Sequence, residues 1–190
     1  MRLVLASQSP RRAEILRAAG YAFDVQPPTV DESPRAAEAP DDYVVRVALL
    51  KAQVVAATRP GDVILGADTV VVIDRLLLGK PSTDREALGM LRRLSGRTHE
   101  VLTGVAVGRA GQFRSQVART LVHFTALTDD DLAWYTASGE PRDKAGAYGI
   151  QGRASRFIDR IEGSYANVMG LPVALVNELL RAYGPPDTFQ

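Results

Sequence analysis

Residues 3–16 read Leu-Val-Leu-Ala-Ser-Gln-Ser-Pro-Arg-Arg-Ala-Glu-Ile-Leu, an apolar run that leads directly into a helical pattern. The apolar run predicts a short strand. Ser9 suits an N-cap and Pro10 the first helical position, so a helix is expected to start there. Strands and helices continue to alternate along the chain, and its length fits one domain over residues 1–190. The pattern therefore predicts an α/β fold.

The first turn of this helix carries two arginines, Arg11 and Arg12. A helix N-terminus has about half a positive charge and unpaired N–H groups, so cations there are unfavourable unless an anion binds between them. The arginines and N–H groups therefore predict a phosphate or carboxylate site, with two solvated arginines as the alternative. Ser7 and Ser9 favour anion binding over a nucleophilic role, because no histidine base lies near them in sequence.

The charge composition limits the function classes. The net charge of +1 argues against a nucleic-acid partner, which would normally need a strongly basic face. The sequence contains no cysteine, so it has no disulfide framework or thiolate metal site. It shows neither a signal peptide nor an apolar run of membrane-spanning length, so we expect a cytoplasmic protein without a membrane partner. Of 23 basic residues three are lysines, each beside another polar signal: Lys51, Lys80 and Lys144.

The local pattern also predicts the remaining elements. Helices are expected to begin at Pro10, at Asp41 or Asp42, at Thr83 with a capping box to Glu86, at Thr128 and at Pro172. Strands are expected over residues 3–6, 63–73, 76–78, 101–107 and 116–124. The glycine-rich residues 140–170 are expected to form loops and a short hairpin, and the tail after Gly184 to be frayed.

One predicted strand contains a carboxylate. Gly66-Ala67-Asp68-Thr69 interrupts the apolar run 63–73, and a buried carboxylate is costly without a partner or a metal. A glycine in a strand indicates a bulge or a close approach. Asp31-Glu32 offers a second carboxylate, and Mg²⁺ takes one or two carboxylates with water and phosphate oxygens. The alternatives are an aspartate paired to an arginine at a strand end and solvated loop acids.

The segment 143–152 combines Asp143, Lys144, Tyr148 and Gln151 with three glycines, a composition suited to close backbone approach around a ligand. Its spacing matches neither a phosphate loop nor a dinucleotide fingerprint. His99 and His123 are too few and too separated for a zinc site, so both are interpreted as structural or surface residues.

Taken together, these motifs resemble the Maf-type nucleoside triphosphate pyrophosphatases, in the family's order and over nearly the whole chain. The matching segments are 6–12, 31–32, Arg46 with 51–52, 66–70, 79–81, 94–96 with His99, 143–152 and 170–172. The resemblance implies an elongated mixed β-sheet with flanking helices and two lobes around a central cleft. It also implies metal-dependent hydrolysis of a nucleoside triphosphate to the monophosphate and pyrophosphate, with a homodimer as a family-level expectation.

The resemblance also implies roles for particular residues. Asp68 is expected to be the catalytic base, a metal ligand or both, with Glu32 as a further ligand of a divalent cation, Mg²⁺ or Mn²⁺. The residues expected to bind substrate are Ser7, Ser9, Arg11, Arg12, Lys51, Thr69, Lys80, Lys144 and Gln151.

The expected base specificity depends on the same resemblance. Thr69 and the pattern from Lys144 to Gln151 resemble the branch that acts on dTTP and UTP, and a glutamine amide can both donate to and accept from the edge of uracil or thymine. Modified pyrimidine triphosphates are an alternative substrate class. The alternative outside enzymes is a non-catalytic nucleotide-binding regulator linked to cell division or septum formation.

Overall fold

The computed structural model describes residues 1–189 and has a mixed α/β fold with one seven-stranded sheet. The strands are β1 (Leu3–Ala6), β2 (Asp24–Val25), β3 (Val63–Ile73), β4 (Leu76–Leu78), β5 (Thr98–Arg109), β6 (Gln112–Phe124) and β7 (Ile158–Glu162). The helices are α1 (Pro10–Ala18), α2 (Pro40–Ala56), α3 (Asp84–Leu94), α4 (Asp129–Ala137), α5 (Tyr165–Val168) and α6 (Val173–Leu180). The sheet order is β2-β1-β3-β5-β6-β7, with β4 paired to β3. This confirms the predicted α/β class.

The strand pairing is parallel at one end of this order and antiparallel at the other. β1 runs parallel to β2 and β3, and the predicted β3–β4 hairpin is confirmed as an antiparallel pair. The short hairpin expected within residues 140–170 is wrong. The strand in that stretch, β7, pairs instead with β6, and the residues before it form three short 3-10 helices. A strand that depends on a distant partner leaves a weak local signal.

The helix starts follow their capping residues. Pro10 begins α1 as predicted. At α2, however, Asp41 and Asp42 lie in the first turn rather than at the cap, because Pro40 occupies the first helical position. Thr128 forms the full capping box of α4.

Three further predictions are corrected in part. Thr83 caps α3, but the carboxylate of Glu86 accepts from Ser82 rather than from the cap, so the predicted capping box is half formed. Pro172 is the N-cap of α6 and not its first residue. The last segment is not frayed, since Phe189 is buried in the core.

Two compact units divide the chain. The first contains Met1–Asp68, Thr103–Ala118 and the segment from Gly170 onward. The strand β1 is buried on both faces. Leu3 and Leu5 contribute to one buried cluster, whereas Val4 and Ala6 contribute to another with α2. Burial on both faces explains why β1 reads as a continuous apolar run.

The second unit contains Thr69–Leu102 and Arg119–Met169. It has its own core, in which α3 and α4 pack with the residues that follow α4. Phe124, Tyr135 and Phe157 are among the large rings buried there. The single domain over residues 1–190 and the central cleft stay predictions. Within the described residues, no helix is both long and apolar enough to cross a membrane.

Candidate active site

The carboxylate inside the apolar strand β3 is buried and paired. Asp68 is 6% exposed, and its Oδ1 accepts a hydrogen bond of 2.8 Å from Nζ of Lys51 on α2, which is 7% exposed. Each charge offsets the cost of burying the other, so removing one partner leaves an uncompensated buried charge. The sequence predicts an arginine as the alternative partner of Asp68. In the structure the partner is a lysine.

A glycine allows α2 to come close enough to make this pair. A Cβ added at Gly66 would lie 2.3 Å from the carbonyl oxygen of Ala48 and 3.0 Å from Cβ of Ala52. Lys51 lies between these two alanines in α2, so the close contact at Gly66 brings its side chain to Asp68. The glycine in the strand thus marks a close approach between helix and strand.

Glu32 completes a three-residue cluster in this unit. Its Oε1 lies 2.9 Å from Nζ of Lys51, and its side chain is about half exposed. The ammonium of Lys51 therefore bridges a buried carboxylate on a strand and an exposed one on a loop. Lysine suits this role because its compact charge has three donors that can point to separate acceptors.

The start of α1 forms a second polar cluster in the same unit. Oγ of Ser7 accepts from the backbone N–H of Ser9 at 3.1 Å and from the guanidinium of Arg12 at 3.2 Å. Nε of Arg12 donates to the carbonyl of Gly170 at 2.8 Å. Ser9 is the N-cap by position, although its side chain makes no capping hydrogen bond within residues 1–189. Arg12 is therefore held in one orientation instead of extending into solvent.

The electrostatics connect these two clusters. Burial lowers the pKa of Arg12, whereas the negative charges of Asp68 and Glu32 raise it. The neighbouring cation, Arg11, lowers it again. Arg12 thus feels both carboxylates, and the cations of α1 act on the same part of this unit as the Lys51 cluster.

The remaining predicted residues lie in the second unit. Thr69 is half-buried, whereas Lys80 and Gln151 are exposed. The N–H of Gly146 donates to the carbonyl of Gly79 at 3.0 Å, so the loops that carry Lys80 and Lys144 meet through their backbones. Nζ of Lys144 donates to Asp143 and to the carbonyl of Glu140.

Buried rings support the segment that contains Gln151. The hydroxyl of Tyr135 donates to Oε1 of Glu140 at 3.0 Å and accepts from the N–H of Gly149 at 3.3 Å. Tyr148 shares a hydrogen bond of 2.8 Å with Nε2 of His99. His99 is fully inside the fold, which agrees with a structural role.

A divalent cation fits the first cluster as a two-carboxylate site. No group of three or more His, Cys, Asp and Glu side chains that could hold a metal occurs among the described residues. Glu32 and Asp68 nevertheless converge on one nitrogen. Hard cations such as Mg²⁺ need one or two carboxylates when water and phosphate oxygens supply the rest. The donor chemistry therefore fits a cation that arrives with a phosphate ligand.

The structure brings Asp68, Lys51 and Glu32 together, and Ser7 together with Ser9 and Arg12. Sequence reasoning named Arg46 and residues 170–172 only as segments that match the family. It missed the contacts that support these clusters, namely the Gly170 carbonyl with Arg12, Arg46 with Glu38, and Glu140 with Tyr135. A contact to a backbone carbonyl leaves no signal in the sequence, because every residue has one. Two charged residues that pair across a loop cannot be distinguished in the sequence from two solvated surface residues.

Comparison with known proteins places the chain in a family. The model of the family described as Maf-like protein matches residues 2–183. A protein of Symbiobacterium thermophilum named dTTP/UTP pyrophosphatase is 50% identical over 184 residues, which cover 97% of this chain and 95% of that protein. A protein of Anaeromyxobacter dehalogenans with the same name is 50% identical over 189 residues, covering 97% and 95%.

A solved structure supports the fold alone. The Ham1 protein of Staphylococcus aureus superposes with a TM-score of 0.55 at 10% identity, over 96% of this chain and all of that one. The family match is much more specific, since it covers nearly the full length of the chain and includes every predicted site residue. The chain that holds the Asp68–Lys51 pair therefore belongs to the Maf-like protein family.

Proposed function

We propose that this protein hydrolyses dTTP and UTP to the nucleoside monophosphate and pyrophosphate, with the help of a divalent cation. The observation that carries the proposal is the buried Asp68–Lys51 pair, in a chain half identical to proteins named dTTP/UTP pyrophosphatase. A protein that only bound phosphate would gain nothing from carboxylates that repel its ligand, unless a cation lay between them.

The cations of the first unit suit a triphosphate, which carries about four negative charges. Arg11, Arg12 and Lys51 supply positive charge, and the start of α1 supplies backbone N–H groups beside Ser7 and Ser9. The ammonium of Lys51 has three donors, of which two point to Asp68 and Glu32. The third can donate to a phosphate oxygen without breaking the cluster.

Asp68 is proposed as the base. Its carboxylate would accept a proton from the water that attacks the α-phosphorus, while the bond to the bridging oxygen breaks and pyrophosphate leaves. The ammonium of Lys51, 2.8 Å from Oδ1, holds the carboxylate in one orientation. A divalent cation held by Glu32 and Asp68 would neutralise phosphate charge and make a bound water more acidic.

The residues of the second unit are proposed to recognise the remainder of the substrate. Thr69, Lys80, Lys144 and Gln151 match the family pattern, and the amide of Gln151 suits the edge shared by uracil and thymine. These roles, a homodimer and a cytoplasmic location stay predictions, and modified pyrimidine triphosphates stay the alternative substrate class.

The proposal is tested by measuring pyrophosphate release from dTTP, UTP, CTP, ATP, GTP and 7-methyl-GTP, with Mg²⁺ or with a chelator. Variants Asp68→Asn and Gln151→Glu are assayed beside Asp62→Asn, a matched control in an ion pair with Arg59. We expect dTTP and UTP to be the best substrates and the chelator to abolish release. Asp68→Asn should be inactive, Asp62→Asn should remain active, and Gln151→Glu should change the ranking of bases.

The proposal would be contradicted if the protein bound nucleotides but released pyrophosphate from none of them. Full activity of Asp68→Asn would refute the role of Asp68 as base. Full activity in the chelator would refute the role of the cation while leaving the substrate assignment intact.

A further inference from the structure

Glu32 reaches Lys51 from a loop whose internal hydrogen bonds, Ser33 to Asp31 and Arg35 to Glu38, are all short-range. Residues 26–39 connect β2 to α2 without a regular element, and residues 31–37 are all exposed. An exposed loop of this kind samples many conformations unless other contacts fix it. Glu32 nevertheless lies 2.9 Å from Nζ of Lys51. Something must hold the loop in that position.

Arg46 on α2 contacts this loop at two places, Ser33 and Glu38. Its Nε donates to Oε1 of Glu38 at 2.5 Å, and its second terminal nitrogen donates to Oε2 at 2.8 Å. The same nitrogen also donates to the carbonyl of Ser33 at 3.1 Å. Ser33 directly follows Glu32, so one guanidinium fixes the chain next to the carboxylate and again five residues later.

The environment of this pair differs from that of an ordinary surface ion pair. The side chains of Arg46 and Glu38 are only 15% and 8% exposed. Hydrogen bonding to Arg46 lowers the pKa of Glu38 to about 2. The guanidinium carbon also lies 5.6 Å from the ring centroid of Tyr43. An arginine can donate to both oxygens of a carboxylate and also to a backbone carbonyl, because its guanidinium is planar and has five donors. A lysine cannot make this bidentate contact.

We infer that Arg46 is a positioning residue, which acts through Glu38 and the Ser33 carbonyl to hold Glu32 at the cation site. The inference rests on the proposed function, in which Glu32 is a metal ligand. Arg46 and Lys51 lie on the same helix, so α2 fixes both the loop and the ammonium that Glu32 meets. Groups that orient a ligand typically affect metal affinity or activity by about 10- to 100-fold when they are removed.

A double-mutant cycle with Glu32 tests this role. The variants are Arg46→Gln, Arg46→Lys, Glu32→Gln and the double variant Arg46→Gln/Glu32→Gln. Each is assayed for kcat/KM on dTTP and for Mn²⁺ affinity by electron paramagnetic resonance. Arg97→Gln is the matched control, because Arg97 also makes a bidentate pair, with Asp74, and contacts a backbone carbonyl.

We expect Arg46→Gln to weaken Mn²⁺ binding and to lower kcat/KM by about tenfold or more. Arg46→Lys should lose nearly as much, because it keeps the charge but not the bidentate geometry. In the Glu32→Gln background, the change at Arg46 should have almost no further effect on either quantity. Arg97→Gln should bind Mn²⁺ like the unmodified protein.

Equal losses from Arg46→Gln in both backgrounds would overturn the inference, because Arg46 would then act on the fold and not on Glu32. Unchanged Mn²⁺ binding in Arg46→Gln, with a loss in Glu32→Gln, would also overturn it but leave the proposed function standing. Unchanged binding and activity in Glu32→Gln alone would instead refute the proposed ligand role. If Arg46→Gln does not fold, Glu38→Ala removes both carboxylate acceptors of Arg46 from the loop side and should also weaken Mn²⁺ binding.

Discussion

Acidification should destabilise this protein through one buried histidine. His99 is 2% exposed, and its ring packs edge-on against Phe124 and Tyr148. Its Nδ1 is buried without a hydrogen-bond partner among the described residues. Burial, with a smaller contribution from His123, lowers the pKa of His99 from 6.5 to about 3. A proton on this ring is therefore far less favourable in the folded state than in the unfolded state.

The sign and size of the effect follow from this difference. The unfolded chain binds a proton at His99 below about pH 6.5, and the folded protein does so only near pH 3, so stability falls as the pH drops through that window. Each pKa unit corresponds to about 1.4 kcal/mol, so the loss reaches about 2 kcal/mol at pH 5 and about 5 kcal/mol at most. Small domains typically have 5–15 kcal/mol of stability in total, so this is a large share.

Urea unfolding at pH 7.5, 6.5, 5.5 and 5.0 measures the loss. We expect the free energy of unfolding to fall by about 2 kcal/mol between pH 7.5 and 5.0. His99→Gln should be less stable at pH 7.5 but should lose most of this pH dependence. His123→Gln, at the only other histidine of the sequence, is the matched control and should keep it. A full pH dependence in His99→Gln would refute the reasoning.

Three further changes test the packing. Gly66→Ala should destabilise the protein by about 1–3 kcal/mol and lower its activity, because the new Cβ would lie 2.3 Å from the Ala48 carbonyl. Thermal unfolding measures the stability and pyrophosphate release the activity. Unchanged stability would contradict the close contact. Gly89→Ala lies within α3 with open space around it, so it should stabilise by about 0.5–1 kcal/mol in the same melts. Phe189→Ala should cost about 3 kcal/mol in urea unfolding, whereas a frayed tail would cost nothing.

The sequence predicts those elements of the fold that depend on interactions between residues close together in the chain. Pro10, Thr83 and Thr128 mark helix starts because their effects are confined to the first helical turn. β7 was missed because its residues are mostly exposed, and its existence depends on pairing with β6. Phe189 was missed for the same reason, since its neighbours in sequence suggest a frayed end and its contacts are made with distant residues.

The candidate site was predictable in composition but not in geometry. Asp68 was identified because a carboxylate in an apolar strand is costly, and Lys51 because lysine is rare in this chain. Neither signal shows that the two form one buried pair, or that Glu32 joins it. Such contacts depend on how closely α2 approaches the sheet, and this distance is set by packing between elements far apart in sequence.

The helix α2 controls the geometry of this cluster more than the strand that carries Asp68. A Cβ at Gly66 would meet the carbonyl of Ala48, and a Cβ at Gly104 would lie 2.2 Å from the carbonyl of Val44. At these two points the backbone of the helix comes directly against the backbones of β3 and β5. Because Lys51 and Arg46 both extend from this helix, one rigid contact fixes the ammonium and the loop that delivers Glu32. The two glycines therefore help to position the charged residues of the site.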